Sequence, residues 1–404
     1  MGLSKLSKHY GLILTSMVGI LFFVLAQKHY FDQLNYTFRI ATALLNGELG
    51  ITTSPSWLNE MVPIGNYYYS VFPLGAILSV MPFSWITKFG IVNEYPVALV
   101  VALLAAGCVG FAFFYTYIRS DLAKTKRALL SLWLVLGTWF MTNLLFAGAP
   151  QIALGFAVLG QLGALYFSCV SQRPFLAGLF FALAFGNRTE ILLLAPVFIL
   201  FLMRPYLKKK QSFQYILYGL KQVKLFFIIP LALGILTLFY NEARFGSFVE
   251  FGYALIPGVL SEPWYKNGIF SLSAIPENAH QMLWQGWKSF PTSPYLVPTG
   301  FGGSIILASP FILLLIRPHG DKLRIFASMI SILILTFVLW MHGNPGGWQF
   351  SYRYAMILLP WLLVLFVEFL PNRITYMEIL LWTCSILINI YATYLFLWTD
   401  YVHP

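Results

Sequence analysis

The chain has 404 residues, of which 59% are hydrophobic and 10% charged, and its mean hydropathy is +0.76. A soluble domain carries about 25% charged residues, so a surface lying mostly in water is excluded. The formal charge of +11 could suit nucleic acid, but the basic residues fall between apolar runs, which is a membrane pattern and argues against a nucleic-acid partner.

Spanning a bilayer takes roughly 20 apolar residues. In chain order the runs predict helices over Tyr10–Ala26, Pro96–Ile118, Ala128–Phe146, Ile152–Val170, Pro174–Gly186, Ile191–Met203, Leu225–Tyr240, Ser304–Ile316, Ile325–Met341, Tyr354–Leu370 and Ile374–Trp398. The expected fold class is an all-α polytopic membrane protein with about eleven transmembrane helices, and residues 1–404 read as a single transmembrane domain. The first helix reads as retained, because no small-residue cleavage site follows it. The shortest segments are expected to extend into flanking polar residues.

Lys5 and Lys8 precede the first helix, which places the N-terminus in the cytoplasm. Most of the 25 lysines and arginines then lie on the cytoplasmic side, among them Arg119, Lys124, Lys126, Arg127, Arg204, Arg324 and Arg373. Most acids lie outside, with Asp121, Asp321, Glu368 and Glu378 at the inner face, and the C-terminus ends outside. The apolar stretch Tyr67–Ile86 could also span, but that would move Arg119–Arg127 outside. It therefore reads as an interfacial or re-entrant helix, in keeping with Pro73 and Pro82. Two long outer loops result, 27–95 and 241–303. Lys208–Lys224 reads as a basic strip that sets orientation and touches headgroups.

Cys108, Cys169 and Cys384 sit inside apolar runs and read as small buried residues. No CxxC or HExxH spacing occurs. No metal ligand set and no cofactor is therefore expected, with a divalent metal left open.

Four outer-face clusters carry the polar residues that could do chemistry. Asp32, in Lys28-His29-Tyr30-Phe31-Asp32-Gln33, is a carboxylate at the interface. It reads either as a general base with a raised pKa or as a helix cap or partner of Lys28 or Arg39. Tyr67, Tyr68 and Tyr69 could line a sugar site or serve as an anchoring belt. Arg244, in Tyr240-Asn241-Glu242-Ala243-Arg244, has a fork suited to phosphate, against a salt bridge with Glu242 or Glu250. Arg353 closes the Gly-rich turn from His342 through Trp348 to Tyr354, at a helix N-terminus that attracts anions. Arg188 lies in a shorter relative, Asn187-Arg188-Thr189-Glu190. A lone His342 fits a hydrogen-bonding role better than a metal ligand.

The order of these clusters resembles the bacterial polytopic glycosyltransferases of the C superfamily (GT-C), the enzymes related to protein O-mannosyltransferases and to the aminoarabinose transferase of lipid A. The resemblance rests on Asp32 followed by Ala41-Thr42-Ala43-Leu44-Leu45-Asn46-Gly47, on Tyr67 to Gly75, on Tyr240 to Tyr253, and on Gly346 to Tyr354. The chain departs from the pattern where Gln33 replaces a second carboxylate and where Leu74 replaces a second proline. Asp32 is left as the best base, with Glu48 and Glu60 as weaker substitutes.

The resemblance implies an inverting glycosyltransferase of a bacterial inner membrane. It would take a sugar from a polyprenyl-phosphate donor in the bilayer to a hydroxyl on a glycan, lipid or protein acceptor at the outer face. Asp32 would be the base. Arg353, Arg244 and Arg188 would hold the donor phosphate, and Tyr67, Tyr68, Tyr69, Asn241, Glu48, Glu60, His342 and Trp348 would line the substrates. The alternatives are a lipid or small-molecule transporter or flippase, and a non-catalytic scaffold. A transporter is expected to show ionisable or broken-helix features near the midplane, and the sequence shows none.

Overall fold

The computed structural model describes residues 5–27, 34–53, 60–207, 213–316 and 318–402. The chain is mostly helical. Among the described residues six helices are long and apolar enough to cross a membrane: Val97–Ile118, Ala149–Val170, Thr189–Leu207, Leu217–Phe245, Lys322–Met341 and Tyr376–Trp398. Their exposure differs sharply. The apolar window of Ala149–Val170 is 78% buried and that of Leu217–Phe245 only 17%. An apolar helix with so little cover needs lipid around it, so the chain is a multi-pass integral membrane protein.

The fold divides into two compact units. The first comprises Met1–Tyr30, Val101–Ala147 and Phe270–Pro404. Its core holds Trp133 against Phe366, with ring centroids 4.6 Å apart, and against Phe311 at 5.6 Å. Several of the basic and acidic residues assigned by sequence to the inner face pair with one another here. Lys126 and Glu378 form a fully buried ion pair. Glu368 accepts from Arg324 at 2.5 Å and from the Asp321 backbone N–H at 2.8 Å. Arg119 pairs with Asp121 at 2.6 Å and donates to the carbonyls of Val367 and Leu370, which close a helix C-terminus. The Arg119 guanidinium holds the Asp121 carboxyl below the usual carboxylate range.

Two of these acids also start helices. Asp321 caps Lys322–Met341 by accepting from the Arg324 N–H, and Thr375 with Glu378 makes a capping box on Tyr376–Trp398.

Two predicted spans of this unit are interrupted. Ala128–Phe146 splits into Lys124–Leu136 and Phe140–Leu145. Thr138 donates back to the Leu134 carbonyl and accepts from the Phe140 N–H, which competes with the helical ladder beside Gly137. Ser304–Ile316 is a short helix, Ile305–Ala308, then a 3₁₀ segment, Pro310–Leu314. The expectation of no broken helix is thus corrected. Pro310 cannot continue the ladder, and side chains satisfy the freed groups. Asn389 donates to the Ala308 carbonyl at 2.8 Å, Ser385 accepts from the Phe311 N–H, and the Trp133 indole donates to Ser309.

The second unit comprises Phe31–Val100 and Gly148–Ile269. Glycines set its helix spacing. A Cβ on Gly178 would lie 2.0 Å from the Phe226 carbonyl oxygen, and one on Gly75 2.4 Å from the Gly186 Cα. Backbones can approach this closely only where no side chain intervenes. The helix predicted over Leu225–Tyr240 runs from Phe213 to Phe245, so it takes in Lys221, Lys224 and Arg244.

The stretch Tyr67–Ile86, expected as one interfacial or re-entrant helix, is a strand and then a helix. Tyr67–Ser70 pairs antiparallel with Met61–Ile64 through a two-residue turn, Gly65-Asn66, where Gly65 takes φ +60. Leu74–Lys88 follows as a helix. The three consecutive tyrosines favour the strand. Near this hairpin Val62, Ile256, Val259 and Tyr265 form a small apolar core, with Val71, Phe245, Tyr253 and Ile269 packed on it.

Candidate functional site

Several of the sequence candidates gather in two clusters, one in each unit. In the second unit Arg244 sits in the last turn of Phe213–Phe245 and is 4% exposed. The strand Tyr67–Ser70 delivers the Ser70 carbonyl to its Nη1. Its Nη2 donates to Asn241 Oδ1 at 2.8 Å and its Nε to the Tyr240 carbonyl at 3.2 Å. The guanidinium lies over the Tyr240 ring at 3.7 Å and the Phe245 ring at 4.5 Å. Among the described residues no carboxylate pairs with it, and Glu250, a candidate partner, instead accepts from the Gly252 N–H at 2.6 Å. Asn241 is held as well, with its amide donating to the Phe248 carbonyl. Arg244 thus ties the tyrosine hairpin to the helix end through neutral acceptors.

Tyr67 and Tyr69 share one face of the strand, with rings 6.1 Å apart, and Tyr69 meets Phe245 edge-on at 6.2 Å. Side chains alternate along a strand, so Tyr68 points the other way. Its backbone bridges to Ile51. The Glu60 carbonyl accepts from the Val71 N–H, beside the end of the same strand. Glu48 is exposed just past the helix Tyr36–Leu45. There Gly47, at φ +83, donates to the Leu44 carbonyl and Glu48 to the Ala43 carbonyl, a Schellman ending. The glycine of the Ala41–Gly47 motif is therefore a helix stop. Arg188 lies between two helical segments and donates twice to Glu190 Oε1, at 2.9 and 2.6 Å.

In the first unit the turn from His342 to Tyr354 folds into a second cluster. His342 Nδ1 bonds the Asn344 carbonyl at 2.7 Å, and its ring meets Phe270 at 5.4 Å and Tyr354 at 5.9 Å. Arg353 is 7% exposed and starts the 3₁₀ segment Arg353–Leu358, which leads into the helix Leu359–Phe369. It donates to the Trp348 carbonyl at 3.4 Å and to the Tyr354 hydroxyl at 3.3 Å, and its backbone N–H donates to Gln349 Oε1. Trp348 packs among Phe146, Phe301 and Phe396. Its indole N–H is buried with no hydrogen-bond partner among the described residues. A buried donor of that kind suits an acceptor on a ligand or a water.

Sequence reasoning missed the side chains that brace this turn. Asn143 donates to the Phe350 carbonyl at 2.8 Å and accepts from its N–H. Asn278 donates to the carbonyls of Trp340 and His342. Asn143 was visible as a lone amide inside an apolar run, a feature that marks a role in membrane helices. Among the described residues no group of three or more His, Cys, Asp or Glu side chains could hold a metal ion. Asp32 lies outside the described residues.

No protein-family model matches the chain, and no curated protein matches it in sequence. Two solved structures are similar to 98% of it: the apo form of the Archaeoglobus fulgidus oligosaccharyltransferase, at 13% identity and a TM-score of 0.40, and the archaeal oligosaccharyltransferase AglB from the same organism in complex with an inhibitory peptide and a dolichol-phosphate, at 13% and 0.43. The chain spans 56% of the length of each.

Proposed function

We propose that the protein is an inverting membrane glycosyltransferase that moves a sugar from a polyprenyl-phosphate donor to an acceptor hydroxyl at the outer face of a bacterial inner membrane. The observation that carries this reading is the second cluster. One Gly-rich turn carries Arg353, the imidazole of His342 and the Trp348 indole N–H, which has no partner among the described residues, and it leads through the 3₁₀ segment Arg353–Leu358 into a buried helix. A cation and a neutral donor carried on one turn suit the phosphate that departs from the anomeric carbon. In this reading the chain is one transmembrane domain of about eleven spans, with 27–95 and 241–303 outside, the N-terminus in the cytoplasm and the C-terminus outside. Asp32 takes the proton from the acceptor hydroxyl as its oxygen attacks the anomeric carbon and the lipid phosphate leaves.

The test uses purified protein with a panel of radiolabelled polyprenyl-phosphate sugars, following loss of label from the lipid. Asp32→Asn is expected to fold normally and lose transfer. Full activity in that variant removes Asp32 from the mechanism, and no label loss with any donor removes the glycosyltransferase reading. The feature a transporter would use, the broken segment Ser304–Ile316, has key freed groups already held by Asn389, Ser385 and Trp133.

A further inference from the structure

In the first unit a cavity of about 410 Å³ lies between the hairpin Lys288–Ser289 / Leu296–Val297 and the end of the chain at Asp400 to Val402. It falls within the range of about 300–1,000 Å³ usual for ligand pockets. Its rim carries one ammonium (Lys288), one carboxylate (Asp400) and the hydroxyls of Thr292 and Ser293. Among the described residues none of these four side chains is hydrogen-bonded or ion-paired. Phe290 and Tyr401 add two aromatic rings, and buried Val297 and Val402 make an apolar floor.

The rim is held in place. The Tyr391 hydroxyl, on the helix Tyr376–Trp398, is shared between the carbonyls of Pro294 and Leu296, both at 3.0 Å. Trp287, just before the hairpin, stacks on the Tyr391 ring at 6.0 Å. A wall anchored in this way loses little freedom when something binds.

The lining selects among ligand classes. Lys288 and Asp400 are exposed on the rim, and an alkyl chain would offer them nothing to bond. A phosphate would meet the Asp400 carboxylate. A sugar ring satisfies every group. Each of its hydroxyls both donates and accepts, so it can serve an ammonium, a carboxylate and two hydroxyls at once. Its C–H face suits the rings and the apolar floor.

We propose that this cavity binds one sugar residue of an oligosaccharide. The inference rests on the glycosyltransferase reading for its role, which is to hold an acceptor glycan during transfer. The binding itself stands apart from that reading.

The test takes the full chain in detergent and titrates maltotriose, cellotriose, mannotriose and chitotriose by calorimetry. At least one is expected to bind, and Asp400→Ala and Lys288→Ala are each expected to weaken it by about tenfold or more, the loss of one good hydrogen bond. Unfolding temperatures should be unchanged. If either alanine variant is less stable, Ser293→Tyr, which fills the rim and keeps both charges, should give the same loss. The proposal is overturned if none of the four binds, or if binding persists at full strength in the variants. Donor hydrolysis by the unmodified protein is measured alongside. Oligosaccharide binding without sugar release from any donor defeats the enzyme reading and leaves the cavity standing; release without binding does the reverse.

Discussion

At the residue scale the two arginines best placed by sequence have different surroundings. Arg244 is bonded through three donors to the Ser70 and Tyr240 carbonyls and to Asn241. Arg244→Ala leaves a buried strand carbonyl unsatisfied, so it is expected to cost about 1–3 kcal/mol of stability or more, read as a lower unfolding temperature. Arg353 starts the segment after a turn braced by Asn143 and Gln349, and its contacts include the Tyr354 hydroxyl at 3.3 Å and the Trp348 carbonyl at 3.4 Å. Arg353→Ala is expected to lower kcat about 10²–10³-fold, the cost of losing one charge-stabilising donor. Equal losses of activity and stability in both variants would erase the distinction. The types and spacing of both arginines were legible in the sequence. Their bonding was not, because the Ser70 carbonyl is 174 residues from Arg244 and no local pattern announces a partner that distant.

At the element scale packing is decided by glycines and by buried pairs. Gly178→Ala forces a methyl group into the Phe226 carbonyl. It is expected to destabilise by about 1–3 kcal/mol or more, as overpacking does. Gly234→Ala, with nothing within 4 Å of its Cβ, should leave the unfolding temperature nearly unchanged. A second prediction concerns Lys126 and Glu378, with side chains 0% and 1% exposed. Glu378→Gln leaves an uncompensated buried ammonium and weakens a capping box, so a loss of about 3–5 kcal/mol is expected. Replacing both partners by apolar residues, Lys126→Met with Glu378→Leu, should recover much of that loss, although the capping box stays broken. If the double variant is no more stable than Glu378→Gln, the pair is not the source of the cost. Hydropathy located the helices of this unit well. It missed the breaks at Gly137 and Ser309, because a break depends on side chains from other helices that accept and donate to the freed backbone.

At the scale of the whole molecule the sequence makes a claim about sidedness. It places Lys124 and Lys322 inside and Lys266 outside, and all three are exposed side chains. In a background with Cys108, Cys169 and Cys384 replaced, a single cysteine at 266 should react from the outside with a membrane-impermeant thiol reagent in intact cells. Cysteines at 124 or 322 should react only after permeabilisation. The reverse pattern would invert the topology and move every candidate cluster to the inner face. Asp121, Asp321, Glu368 and Glu378, grouped by charge counting alone, each bond a basic side chain grouped with them.

The sequence by itself determined that this chain lives in a bilayer, where most of its long apolar helices run, and which polar residues stand out against them. Those properties follow from transfer free energies summed over local windows, which need no knowledge of neighbours. Only the tertiary structure decided which of those polar residues stay close to one another and which are used up as structure. It turned three tyrosines from a helix into a strand, sealed a broken span with Asn389 and Ser385, and braced the turn of His342, Trp348 and Arg353 with Asn143 and Asn278. Each outcome depends on hydrogen bonds or ring contacts to other parts of the fold, and inside apolar surroundings an unmet polar group costs too much for those partners to be optional.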